Sequence, residues 1–192
     1  MRPLILFLLL LGGIAPLASQ DDFLAIEERM QAYHALGDRG EYDAVLNYIY
    51  PPLFELIPRE VLRDQFAQEN YHPDFTINRK RFSLDDMGYP MEVGSNTYVR
   101  LLCSYTFTVT FYQEAAEDED FIEATLESIS QEHGGVQIIY DPLNHQASVR
   151  LKKSLLAVRP DASLTWYFLE VDYGQLELLG DLVPASVRRA LK

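Results

Sequence analysis

Between Tyr98 and Tyr112 the chain alternates with a period of two. Val99, Leu101, Cys103, Tyr105, Phe107, Val109 and Phe111 are apolar or aromatic, whereas Ser104, Thr106, Thr108 and Thr110 carry small hydroxyls. That period sends successive side chains to opposite faces of a β-strand. One face must be covered by other parts of the chain, and the hydroxyl face can meet water or a polar partner. The run exceeds the usual ~3 to 10 residues of a strand, which predicts a bend at a bulge and a sheet that curls around its cover.

The period is different upstream. Phe23, Ile26, Met30 and Tyr33 recur at steps of three and four, one face of a helix from Asp22 to Gly37, with Gly37 and Gly40 as its stop. Tyr42, Val45, Leu46 and Ile49 predict a second helix from Glu41 to Tyr50, closed by Pro51-Pro52. Leu53 to Ile57 reads as an apolar linker. Pro58 then opens a third helix, Arg59 to Gln68, with Val61, Leu62 and Phe66 inward.

After His72-Pro73 the period returns to two. Phe75 to Leu84 predicts a strand interrupted at Asp85-Asp86, and Gly94-Ser95-Asn96 turns the chain into the long strand. Ile122, Leu126 and Ile129 predict a helix from Phe121 to Glu132, with acids at its start and Gly134-Gly135 at its end. Three strands follow: Val136 to Tyr140, Gln146 to Val158 and Leu164 to Val171. The short turns between them imply antiparallel pairing. The tail from Leu176 to Lys192 reads as one or two short helices, with Pro184 at a start and Val187 and Leu191 inward. Helices first and a long-stranded sheet afterwards is the α+β layout, with N-terminal helices on the concave face of a curved antiparallel sheet.

The first residues modify this picture. Met1-Arg2-Pro3, the apolar run Leu4 to Leu11 and a small-residue exit before Asp21-Asp22 have the form of a secretory signal peptide, cut after Ala18 or after Gln20. The expected domain is therefore residues 21–192, periplasmic or secreted, with no membrane segment once the signal is removed. Cys103 would be the only cysteine, which precludes an internal disulfide, and its place on the apolar face predicts burial. The 29 Asp and Glu against 16 Lys and Arg argue against nucleic acid as a partner.

The segment Met30-Gln31-Ala32-Tyr33-His34-Ala35-Leu36-Gly37-Asp38-Arg39-Gly40-Glu41-Tyr42-Asp43-Ala44-Val45-Leu46-Asn47-Tyr48-Ile49-Tyr50, with the order of elements after it, resembles the nuclear transport factor two-like superfamily. Its members share a cone of curved sheet closed by helices and include ketosteroid isomerases, polyketide cyclases, scytalone dehydratase and non-enzymatic binding domains. The resemblance to the isomerases implies that their oxyanion-donating tyrosine falls on Tyr33. It also places Ile57, before Pro58, where their carboxylate base would stand, and an aliphatic side chain takes no proton. Nor do Val99 to Phe111 and Ala147 to Ala157 contain the second acid of that mechanism.

No catalytic set, metal site or cofactor follows from these residues. His34, His72, His133 and His145 have no close His or carboxylate spacing typical of a metal site, no Gly-x-Ser-x-Gly elbow is present, and no glycine loop cradles a phosphate. What remains is a hollow lined by Tyr33, Tyr105, Phe107 and Trp166, suited to a small hydrophobic ligand. The alternatives are a pocket enzyme using Tyr33 and His34, and a homodimer formed through the hydroxyl face.

Overall fold

The computed structural model describes residues 20–68, 72–161, 163–171, 179–180 and 182–191. The signal-peptide reading and the tail from 172 to 178 lie outside the described residues. Among the described residues there are seven α-helices and six strands. They are α1 (Gln20–Asp38), α2 (Tyr42–Val45), α3 (Leu53–Leu56), α4 (Arg59–Gln68), β1 (Phe75–Met87), β2 (Met91–Val93), β3 (Asn96–Phe111), α5 (Gln113–Ala116), α6 (Glu119–Glu132), β4 (Gln137–Asp141), β5 (Gln146–Pro160), β6 (Tyr167–Val171) and α7 (Ala185–Ala190). The class is α+β, and every pairing between named strands is antiparallel.

The sheet is built on two long central strands. β3 pairs with β5 without a break from Asn96 opposite Pro160 to Thr110 opposite Gln146. β1 and β2 lie along the outer side of β3, and β4 and β6 along the outer side of β5. The irregularity expected in β3 is instead in β1, whose register with β3 shifts between Arg79 and Arg81 and between Leu84 and Asp86. Each shift leaves one residue of β1 unmatched, which flips the strand's alternation. Phe75 and Ile77 therefore share a face with Phe82 and Leu84, although their parities differ. The interruption expected at Asp85-Asp86 is a bulge within a continuous strand, where Asp85 accepts hydrogen bonds from Ser83 (2.8 Å) and Ser104.

Three apolar clusters cover this sheet, two on one face and one on the other. Ile26 and Met30 of α1 meet Val99, Leu101, Cys103, Leu155 and Ala157, together with Trp166 and Phe168. At the far end of the same face, Ile122 of α6 covers Val109, Phe111, Ala147 and Val149. Alternation alone predicts a solvated opposite face. Half of it is dry, because Val183, Val187 and Leu191 cover Tyr98, Leu156 and Val158. All residues from Ser154 to Val158 are consequently buried whichever way they point. The hydroxyl row escapes that cover only in part: Ser104 is buried, while Thr106, Thr108 and Thr110 are half-buried.

Several local expectations are corrected. The helix expected from Glu41 to Tyr50 is one turn of α2 followed by a 3₁₀ turn, Leu46–Tyr48. Ile49 is extended and makes a parallel bridge to Phe168, while the Tyr50 N–H donates to the Phe168 carbonyl at 3.0 Å. A residue preceding proline is driven out of the helical region, so Pro51 sets this end. The expected linker Leu53 to Ile57 contains the single turn α3. α4 has the expected bounds, but Val61 is exposed and no residue of the helix is fully buried. The last strand starts at Tyr167 rather than Leu164, which is almost fully exposed. α6 matches its signals: Asp118 caps Phe121 N–H at 3.0 Å, and Gly134 and Gly135 end it at positive φ.

Candidate functional site

Between the two clusters on the α1 face, the packing opens. A cavity of about 450 Å³, partly open to solvent, separates the α1 end from the α6 end. Tyr33, His34 and Gly37 of α1 form one wall, and Tyr105 and Phe107 of β3 with Leu151 and Lys153 of β5 form another. Three of the four residues singled out as ligand-contacting, Tyr33, Tyr105 and Phe107, come together here. Trp166 does not line the cavity; it is 2% exposed within the dry cluster. The Arg159 guanidinium sits 4.7 Å from its ring centre, and its carbonyl accepts a hydrogen bond from Arg29 Nε.

The α1 wall is aromatic with one polar defect. His34 is 6% exposed and faces Phe82 at 3.7 Å between ring centres, with Tyr33 edge-on at 4.9 Å and Tyr105 at 5.3 Å. Its Nε2 lies 3.4 Å from the Tyr105 hydroxyl, and its Nδ1 has no hydrogen-bond partner among the described residues. Burial first, and then the Arg79 charge, lower the imidazole to about 3, so it is neutral at pH 7. Burial likewise raises the Tyr105 phenol, ahead of the smaller effects of Cys103, Tyr33 and Glu170, so its proton stays on. If Tyr105 donates to Nε2, Nδ1 carries an unmet N–H; in the other tautomer Nδ1 is an unmet acceptor. In both cases one buried polar site is left open, at a cost of about 1–3 kcal/mol.

The facing wall is charged, which the sequence reading missed. Lys153 Nζ and Glu170 Oε1 are 2.5 Å apart across the β5–β6 pair, with side chains 36% and 56% exposed. Both stand on the inward parity of their strands, Lys153 between Leu151 and Leu155 and Glu170 after Phe168. A charge on an apolar parity was the available signal. Arg79 shares the parity of Phe75 and Ile77, pairs opposite Phe107 and so lines the cavity, and it lies 3.4 Å from Asp38. A Cβ on Gly37 would stand 3.3 Å from Arg79 Nη1, so the missing side chain makes room for that guanidinium beside α1. At the α6 end, His133 lies edge-on to Phe107 at 6.4 Å; burial and then Lys153 lower its proton affinity.

The chemistry available is therefore a mixed one. Apolar and aromatic surface can hold a ligand body, and His34 with Tyr105 and the Lys153–Glu170 pair can satisfy polar groups on it. Ile57 is not part of the cavity wall. Among the described residues no group of three or more His, Cys, Asp or Glu could hold a metal ion. Cys103 is fully buried under the α1 cluster, and burial and then Asp85 push its thiol up to about 12, away from nucleophilic use. Among the described residues no helix is long and apolar enough to cross a membrane. No family model matches the chain, and neither a curated protein nor a solved structure gives a significant match.

Proposed function

We propose that the chain is an exported nuclear transport factor two-like domain, with its sheet curled into a cone around the cavity, and that it holds a small ligand there without transforming it. The observation that carries this reading is the hollow itself. Its volume of about 450 Å³ lies within the range of small-molecule sites, and its polar groups converge from opposite walls. The ligand would be largely apolar, packed on Phe107 and Leu151, with one polar end at His34 and Tyr105. The absence of a carboxylate base at Ile57 supports binding over enolisation.

A second reading is favoured by the Lys153–Glu170 pair: a pocket enzyme of the isomerase, dehydratase or cyclase type using Tyr33 and His34. The third, a homodimer through the hydroxyl face, rests on the open stretch Thr106 to Thr110. Native mass spectrometry of the gently purified full chain separates them. Binding predicts a small-molecule adduct, absent from a Leu151→Trp variant that fills the space, and recovered chemically unchanged after incubation. A changed product mass would establish the enzyme, and a bare double mass the dimer. A bare monomer that captures nothing from a small-molecule extract would refute the binding reading.

A further inference from the structure

The second large hollow lies elsewhere, along the flank of α6 where the sheet ends at β4. Among the described residues β4 pairs with β5 alone, so every second backbone N–H and C=O on its other side faces outward. α6 overhangs this edge, and a groove of about 860 Å³ runs between them, lined from Ala116 to Ser130 on the helix side and from Val136 to Tyr140 on the strand side. Its floor includes Leu126, Ile138 and Tyr140, all half-buried. Its rim is Glu119, Glu123 and Glu127, all exposed and without a cationic partner among the described residues.

We propose that this groove binds an extended basic peptide, which adds to β4 as a further antiparallel or parallel strand. Two features select an extended occupant. Outward-facing backbone groups on a strand edge are satisfied by another extended chain. The glutamates stand four residues apart, about 6 Å per step along a helix, and alternate side chains of a strand are about 6.8 Å apart. Cations at alternate positions of the peptide thus meet the carboxylates in turn. Lysine or arginine stems would lie over Leu126, Ile138 and Tyr140 while their charged ends reach the rim. The intervening residues fall on the opposite face of the sheet, beside Ile139, which is 63% exposed. That position favours apolar residues, so the occupant alternates basic and apolar.

The test is fluorescence anisotropy on the full chain with a labelled peptide of alternating lysine and valine. It should bind, and the same peptide with glutamate for lysine should not. Glu123→Lys combined with Glu127→Lys should weaken binding by about tenfold, as should N-methylation of alternate peptide nitrogens on the pairing edge. Glu123→Gln with Glu127→Gln gives a milder variant with unchanged helix propensity should the reversal disturb folding. Failure of the lysine–valine peptide to bind, or equal binding by the double variant or the N-methylated peptide, would overturn the proposal. In the last two cases the peptide adheres to the acidic surface at large.

Discussion

Two stretches of the same pair of strands, on the same face, have different interiors. Around Val99, Leu101 and Ala157 the face is sealed by Ile26 and Met30, and every one of these residues is less than 5% exposed. A few residues along, Tyr105, Phe107 and Lys153 occupy equivalent positions in the alternation and border a cavity. The difference lies in what covers them. α1 presents aliphatic side chains to the first stretch; its last turns present Tyr33, His34 and the bare Gly37 to the second. α6 reaches the sheet again only further on, at Val109 and Val149. Side-chain parity thus determines which face a residue joins, and the cover determines whether that face is filled.

Truncation should separate the two stretches most strongly. Phe168→Ala, in the sealed cluster, is expected to cost about 3–5 kcal/mol, whereas Phe107→Ala, already bordering empty space, should cost about 1–2. Urea denaturation of both variants measures this, and equal losses would erase the contrast. The next effect depends on pH. Unfolded, His34 gains a proton near 6.5; folded, it does so only near 3. Between those values the unfolded chain binds more protons, so stability should fall as pH drops through this window, by up to about 1.4 kcal/mol per pH unit. His34→Phe should flatten that share of the slope, read from denaturation midpoints between pH 7 and 4 relative to the parent. The smallest effect belongs to the facing wall. Lys153 and Glu170 are both more than a third exposed, so a double-mutant cycle through Lys153→Met and Glu170→Gln should yield a coupling of under about 1 kcal/mol. A larger coupling would mean that this wall is as sealed as its neighbour.

Much of the fold was legible because its strongest patterns are local. The alternation of Val99 to Phe111, the bounds of α4 and the capped α6 need only neighbouring residues to specify them. What could not be read depends on partners distant in sequence. Ile49 looks helical by spacing, yet Phe168 captures it as a bridge. The bulge that brings Phe82 and Leu84 onto the face of Phe75 and Ile77 exists only in the pairing of β1 with β3. The cover supplied by Val183, Val187 and Leu191 to the opposite face has no trace in the sequence of β5 beyond the hydrophobic run Leu155 to Val158. Of the cavity, Tyr33, Tyr105 and Phe107 were accessible as aromatic residues near the core. Lys153 and Glu170 were not singled out, although their parity placed them inside. Trp166 was misleading because its size suits a pocket wall equally well as a dry core.

The claim beneath all of this is that the middle of the α1 face is hollow, and equilibrium unfolding of Leu151→Trp tests it most directly. Leu151 is 5% exposed and borders the cavity, so an indole there has space to enter without displacing its neighbours. Unchanged or increased stability relative to the parent is the predicted result. A loss of about 1–3 kcal/mol, the usual penalty for overfilling a packed core, would contradict it.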